Sequence, residues 1–241
     1  MQKLYCLTLF VVSLNIGLSQ TAPLFKNGII TFERKVNLFA NKNLSSEYKI
    51  QNNQFRTTYY QLHFTKNITS FIPSINNLQL DRVGIQPAEN NRVYMDQKTK
   101  SYQSIKKIFD EQYVIEDSLP KISWKITNEK RIIAGFECRR ANALIFDSVY
   151  IVAFYSDDIP ISSGPELFNG LPGMILGLSL PHLHINIFAT KVVNQEVNET
   201  TLVKIKSPES PISALVLKNR LLKSATFQGE DAFSFLIQSL L

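Results

Sequence analysis

The segment NGIITFERKVN (27–37) alternates apolar and polar residues. Ile30, Phe32 and Val36 fall on one face of an extended chain, and Glu33 and Lys35 on the other. Successive side chains of a strand point to opposite sides of a sheet, so this phase predicts a strand with one face in a core and one in water. The pattern recurs. In QFRTTYYQLHFTK (54–66), Tyr60, Leu62 and Phe64 alternate with Tyr59, Gln61 and His63. In KISWKITNE (121–129), Ile122, Trp124 and Ile126 alternate with Ser123, Lys125 and Thr127. Asn, Gly and Pro interrupt such segments at hairpin-like intervals, and roughly ten to thirteen candidate strands result. Gly135 in RIIAGFE (131–137) marks a turn or bulge. Helical patterns are few. SYQSIKKIFDEQYVIED (101–117) fits one short helix or two strands, and GEDAFSFLIQSLL (229–241) fits a terminal helix with Asp231 near its start. The predicted fold is mainly β: a single domain built on a curved antiparallel sheet or half-barrel, with few short helices.

The first twenty residues stand outside that domain. MQKLYCLTLFVVSLNIGLSQ has one Lys near its start, an apolar run from Leu4 to Leu18 and a small, polar end. That is the layout of a secretory signal peptide cut near Gln20, and the run is short for a transmembrane helix. The expected organisation is a signal peptide over residues 1–20 and one β domain over residues 21–241, with no transmembrane segment in the mature chain. Removing the leader also removes Cys6 and leaves Cys138 as the one cysteine, so an exported chain of this length folds without an internal disulfide. In GFECRRANALIF (135–146), Cys138 reads as an inward strand residue. The formal charge of +6 falls to +5 without Lys3, and the charges are scattered. Scattered charge does not make a nucleic-acid stripe, and it fits weak attraction to an anionic membrane surface.

Between Ala141 and Tyr155 the alternation fades. SVYIVAFY (148–155) places Val149, Ile151, Ala153 and Tyr155 on one face and Tyr150, Val152 and Phe154 on the other, and MILGLSL (174–180) is apolar all round. Such strands must be covered on both faces. A second layer, a helix or loop, or a ligand in a half-closed barrel would each do so, and the last makes Tyr150, Val152 and Phe154 candidate ligand contacts.

Candidate chemistry is sparse. His182 and His184 in PHLHINIFATKV (181–192) lie two apart on an expected strand, which would put both imidazoles on one face. A metal needs a third or fourth ligand, so they are weak metal candidates, and the chain calls for no cofactor. Asp147, Ser148 and the Asp157–Asp158 pair permit a drawn Ser–His–Asp set, but no serine sits in a strand-to-helix elbow, and adjacent acids on a strand point apart. The reading is therefore non-enzymatic. GPELFNGLPGMILG (164–177) holds four of the nine glycines but no Lys follows them, which argues against a phosphate cradle. It reads as a structural turn through Gly164, Pro165, Gly170, Leu171, Pro172 and Gly173. Asn169–Gly170 forms one turn, and Pro172–Gly173 fits a type II turn with Gly173 at positive φ. Leu167, Phe168 and Leu171 would pack the loop between two core strands.

The segment GLPGMI (170–175) resembles the signature of the GLPGLI family of secreted Bacteroidetes proteins, with Met174 in place of Leu. Upstream, Trp124 and the Gly135–Phe136, Cys138, Ala141 series fill the places of that family's Trp strand and the strand after it. The resemblance is good over roughly residues 113–193, loose in the N-terminal strands and absent beyond about Val197. It implies an exported protein of a Gram-negative envelope, in the periplasm or at the outer-membrane periphery. It also implies a link to TonB-dependent outer-membrane β-barrel receptors, and it transfers no catalytic residue. By analogy with lipoprotein carriers, a lipid is a second candidate partner. The expected function is binding of an apolar ligand or an outer-membrane partner. The alternatives are an assembly factor without ligand and a metal-binding protein using His182 and His184.

Overall fold

A computed structural model of the chain describes residues 25–40, 49, 53–74, 89–108, 110–223 and 232–241. The expected signal peptide lies outside the described residues. Eleven strands form one antiparallel sheet: β1 (Gly28–Asn37), β2 (Phe55–Phe64), β3 (Ile68–Pro73), β4 (Arg92–Asp96), β5 (Ser101–Ile108), β6 (Glu111–Ser118), β7 (Lys125–Ile133), β8 (Phe136–Ile145), β9 (Val149–Ser156), β10 (Met174–Leu180) and β11 (Ile185–Val193). The order across the sheet is β6-β5-β4-β3-β2-β1-β11-β10-β9-β8-β7. Two short helices follow, α1 (Ala214–Lys223) and α2 (Ala232–Leu240).

The order dictates the curvature. The edge strands β6 and β7 are consecutive in sequence, with only residues 119–124 between them. Eleven flat strands at about 4.8 Å spacing would hold their edges roughly 48 Å apart. The link from Ser118 to Lys125 spans at most about 25 Å. The sheet must therefore curl until its edges approach, yet β6 and β7 do not pair. The result is an open barrel.

The inner face follows the sequence phase. Ile30 lies opposite Leu62, Phe32 opposite Tyr60, and Leu62 opposite Phe71, all nearly free of solvent contact. Tyr60 and Phe71 stack with ring centroids 4.8 Å apart. Cys138 is buried on β8, and burial pushes its thiol up to about 12. The ambiguous segment 101–117 is the β5–β6 hairpin, because β-branched and aromatic residues on one face reward pairing more than a short isolated helix would. Ala134 and Gly135 both take positive φ, the two-residue turn that matches the twist of a tight hairpin. One expectation fails locally: Ile122 and Trp124 are not in a strand, since β7 begins at Lys125. Helix α1 begins where Ser213 Oγ accepts from Val216 N and Asp117 Oδ2 accepts from Ala214 N. Leu217 and Leu221 bury its inner face.

Candidate functional site

The glycine- and proline-rich loop fills the hollow of the open barrel. Residues 157–173 join the neighbouring strands β9 and β10, and Ile159, Ile161, Phe168 and Leu171 are buried. Ser163 shares a 3.0 Å hydrogen bond with Thr69 on β3. Gln97 donates to Ser162 O at 2.8 Å, and Asn91 to Glu166 Oε2 at 3.0 Å. Trp124 Nε1 donates to Asn169 O at 2.8 Å, so the link between the sheet edges grips the loop. The loop is thus a plug tied to both halves of the sheet. It supplies the cover that the doubly apolar β9 and β10 require.

Within the plug, Gly164 and Pro165 are buried, Gly170 and Pro172 are exposed, and Leu171 and Gly173 are buried. Gly170 has φ +95°, as expected of the Asn169–Gly170 turn. The expectation for Gly173 is corrected, because its φ is not positive. Its lack of a side chain matters for space: a Cβ there would sit 2.0 Å from Ser156 O. Glu166 holds the unusual backbone, at φ +53° in a turn closed by Phe168 N donating to Pro165 O.

The plug carries Glu166 into a buried polar cluster. Arg34, Arg56 and Lys106 project from the inner faces of β1, β2 and β5, and Glu89 and Asn91 precede β4. Arg56 makes a two-point ion pair with Glu89, with Nη2 to Oε2 at 2.7 Å. Tyr60 donates to Glu89 O at 2.8 Å, and burial pushes its phenol up to about 12. Burial also raises Glu166 and lowers Lys106 to about 8, and each field offsets the other's shift only in part. Lys106 Nζ, Glu166 Oε1 and Ser104 Oγ have no hydrogen-bond partner among the described residues. The amine therefore opposes folding while it is protonated. Its folded value lies below the unfolded 10.5, so stability rises as pH climbs from about 8 toward 10.5 and the contribution is lost as pH falls through 8. Lys106→Met is expected to flatten that rise and to stabilise the protein at pH 7, read as urea midpoints at pH 7, 8 and 10. An unchanged pH profile would show that Lys106 is not buried as a cation.

A separate cleft of about 670 Å³ opens beside the gap between the sheet edges. The edge link contributes Leu119 and Ile122, the β8–β9 hairpin tip Leu144 and Phe146, and the plug Leu167 and Phe168. Leu215 at the start of α1 and Leu241, just past the end of α2, close it. Leu144, Phe146 and Leu215 are 56%, 43% and 65% exposed, so apolar surface at the rim faces water. Lys100, Lys121 and Lys218 also line it.

The residues expected to touch a ligand lie elsewhere. Tyr150, Val152 and Phe154 are on the convex side of β9 and do not line this cleft. Phe154 packs against Phe188, with the Arg131 guanidinium 5.6 Å and 5.2 Å from the two rings. Val152 is buried, and Tyr150 is exposed with its hydroxyl 3.5 Å from Arg140 Nη2. The cover over Phe154 is a cation–π lid of protein. The histidine expectation is corrected too. His182 lies in a short 3-10 turn (Pro181–Leu183), and His184 caps it at φ +54° before β11 begins. No strand aligns them, and the described residues gather no group of three His, Cys, Asp or Glu side chains.

The sequence reading missed the cleft because its wall comes from six separate segments. A trace of the charged cluster was visible: Arg34 interrupts the row Ile30, Phe32, Val36, and Lys106 the row Tyr102, Ser104, Ile108.

Residues 145–177 match the model of a family described as "Protein of unknown function (Porph_ging)". That span runs from the β8–β9 tip through the plug to β10. No curated protein matches the chain. Among solved structures, one of PNGF-II in space group P21 is similar over 82% of this chain and 34% of its own, at 18% identity and a TM-score of 0.55. A second PNGF-II structure, in space group C2, gives 82% and 33% coverage, 17% identity and a TM-score of 0.54. The chain spans about a third of the length of those proteins, and the likeness is one of fold. The segment that the sequence analysis singled out as a signature is thus the part of the chain that matches a family of unknown function.

Proposed function

We propose that this chain is a non-enzymatic exported envelope protein of the GLPGLI type that binds an apolar ligand in the cleft at the mouth of the open barrel. The observation that carries the reading is the cleft itself. It combines a ligand-sized volume, apolar walls from the edge link, plug and hairpin tip, and exposed Leu144, Phe146 and Leu215 at its entrance. The export reading rests on the leader pattern of residues 1–20, and the GLPGLI reading on residues 170–175. An association with an outer-membrane receptor remains part of this proposal and would use the same exposed rim.

Titration of the purified protein with the neutral fluorescent probe N-phenyl-1-naphthylamine tests it. One-site, saturable emission is expected. Leu144→Glu, at an exposed wall position, is expected to weaken the probe at least tenfold without lowering the unfolding midpoint. Absent or non-saturable emission, or equal affinity in the variant, would refute the cleft as a binding site.

A further inference from the structure

The walls of the cleft are apolar, and its charged lining is three lysines against one carboxylate, Asp117. Lys100 comes from the β4–β5 turn, Lys121 from the edge link and Lys218 from α1. Leu119 N donates to Lys100 O at 2.9 Å, which holds the β4–β5 turn and the edge link side by side. Lys218 lies one helical turn beyond Ala214, on the face of α1 that lines the cleft. The acid on this wall, Asp117, is already engaged: Oδ2 accepts from Ala214 N at 3.1 Å and Oδ1 from Ser118 N at 2.7 Å. Lys100 donates to the neutral Gln97 Oε1 at 3.3 Å. None of the ion pairs formed by the described residues involves Lys100, Lys121 or Lys218. Three elements thus bring three ammonium groups to an apolar slot whose one acidic side chain, Asp117, is held by backbone N–H groups rather than by a lysine.

A neutral hydrocarbon would leave those cations unused, and a polar anion would leave the leucine and phenylalanine walls unfilled. We propose that the occupant is an anionic single-chain amphiphile, its acyl chain lying along Leu144, Phe146, Leu167 and Phe168 and its carboxylate or phosphate head set among Lys100, Lys121 and Lys218. Charge complementarity selects this occupant over a second copy of the chain. A second copy would bring the same lysines to face themselves. The proposal rests on the apolar-cleft reading above and names the class of its ligand. A charged head meeting two or three ammonium groups favours the anion about tenfold or more over a neutral chain of equal length. The gain falls with added salt, because the lysines are exposed. Each methylene added to the chain strengthens binding about fourfold while the slot has room.

Displacement of N-phenyl-1-naphthylamine from the delipidated protein decides the matter. The competitors are laurate, myristate, 1-lauroyl lysophosphatidate and dodecanol. Laurate is expected to bind at least tenfold tighter than dodecanol in low salt, and myristate tighter than laurate. Comparing laurate with the lysophosphatidate tells a carboxylate head from a phosphate head. Lys121→Glu with Lys218→Glu is expected to remove the laurate preference. The milder Lys121→Gln with Lys218→Gln should remove part of it, and unfolding midpoints confirm that both variants fold. If dodecanol and laurate compete equally, the anionic inference falls and the apolar cleft stands. If the probe itself does not bind, both fall. If light scattering shows a dimer whose dissociation uncovers the probe site, a second copy is the occupant and the inference is overturned.

Discussion

Gly173→Ala is expected to destabilise the protein by about 3 kcal/mol or more, enough to leave much of the chain unfolded at 37 °C. An added Cβ would lie 2.0 Å from Ser156 O, 2.7 Å from Ser156 C and 3.1 Å from Asp157 N. All three obstacles are backbone, so no side chain can swing aside. Relief requires the end of β9 to part from the start of β10, where Met174 pairs with Ser156 and Met174 N donates to Ile159 O at 2.9 Å. That movement would draw the plug out of the barrel. Gly170→Ala is the control: its Cβ meets Trp124 Nε1 at an ordinary 3.5 Å, and only the positive φ opposes it, at about 1–2 kcal/mol. Urea unfolding followed by Trp124 fluorescence compares the two, since Trp124 is the sole tryptophan and is bonded to the plug. A wild-type midpoint for Gly173→Ala would contradict the tight closure between plug and sheet.

The second large effect lies in the polar cluster. Arg56→Met is expected to cost about 3–5 kcal/mol, because it leaves the Glu89 carboxylate in a site where only 3% of the residue meets solvent. Arg56 and Glu89 are joined at two points, and Glu89 O also receives Tyr60 Oη. The companion double variant, Arg56→Met with Glu89→Leu, removes both charges and is expected to recover most of the loss. Thermal unfolding of the wild type, both single variants and the double variant gives the coupling. Additive losses would show that the two side chains do not act as a pair.

Both predictions concern the plug and the charges around it, and the sequence disclosed these unevenly. The alternation at Ile30, Phe32 and Val36 and at Tyr60, Leu62 and Phe64 predicted β1 and β2 and their buried face, because a period of two leaves one solution for a half-buried chain. The all-apolar composition of β9 and β10 required a cover on each side, and the turn chemistry of residues 164–173 marked a packed loop. That the loop is itself the inner cover was not legible, since its partners Thr69, Asn91, Gln97 and Trp124 are 45 to 94 residues away. For the same reason Tyr150, Val152 and Phe154 looked like ligand contacts. On the outer face, Phe154 is closed by Arg131 and Phe188, one from the sheet edge and one from β11. His182 and His184 were read as strand neighbours because nothing in PHLH announces that His184 takes a left-handed conformation.

By itself, then, the sequence determined the strand-rich class, the buried faces of β1 and β2, a chain reversal or bulge at Gly135 and the plug's character as a turn. These are local properties, set by side-chain alternation and by the φ that glycine and proline allow. Only the tertiary structure decided the sheet order, the closeness of its edges, the charged cluster behind the plug and the lysine-rimmed cleft. The sheet order, the cluster and the cleft bring together residues far apart in the chain. Their positions follow from how far an eleven-stranded sheet must curl to bring Ser118 within reach of Lys125.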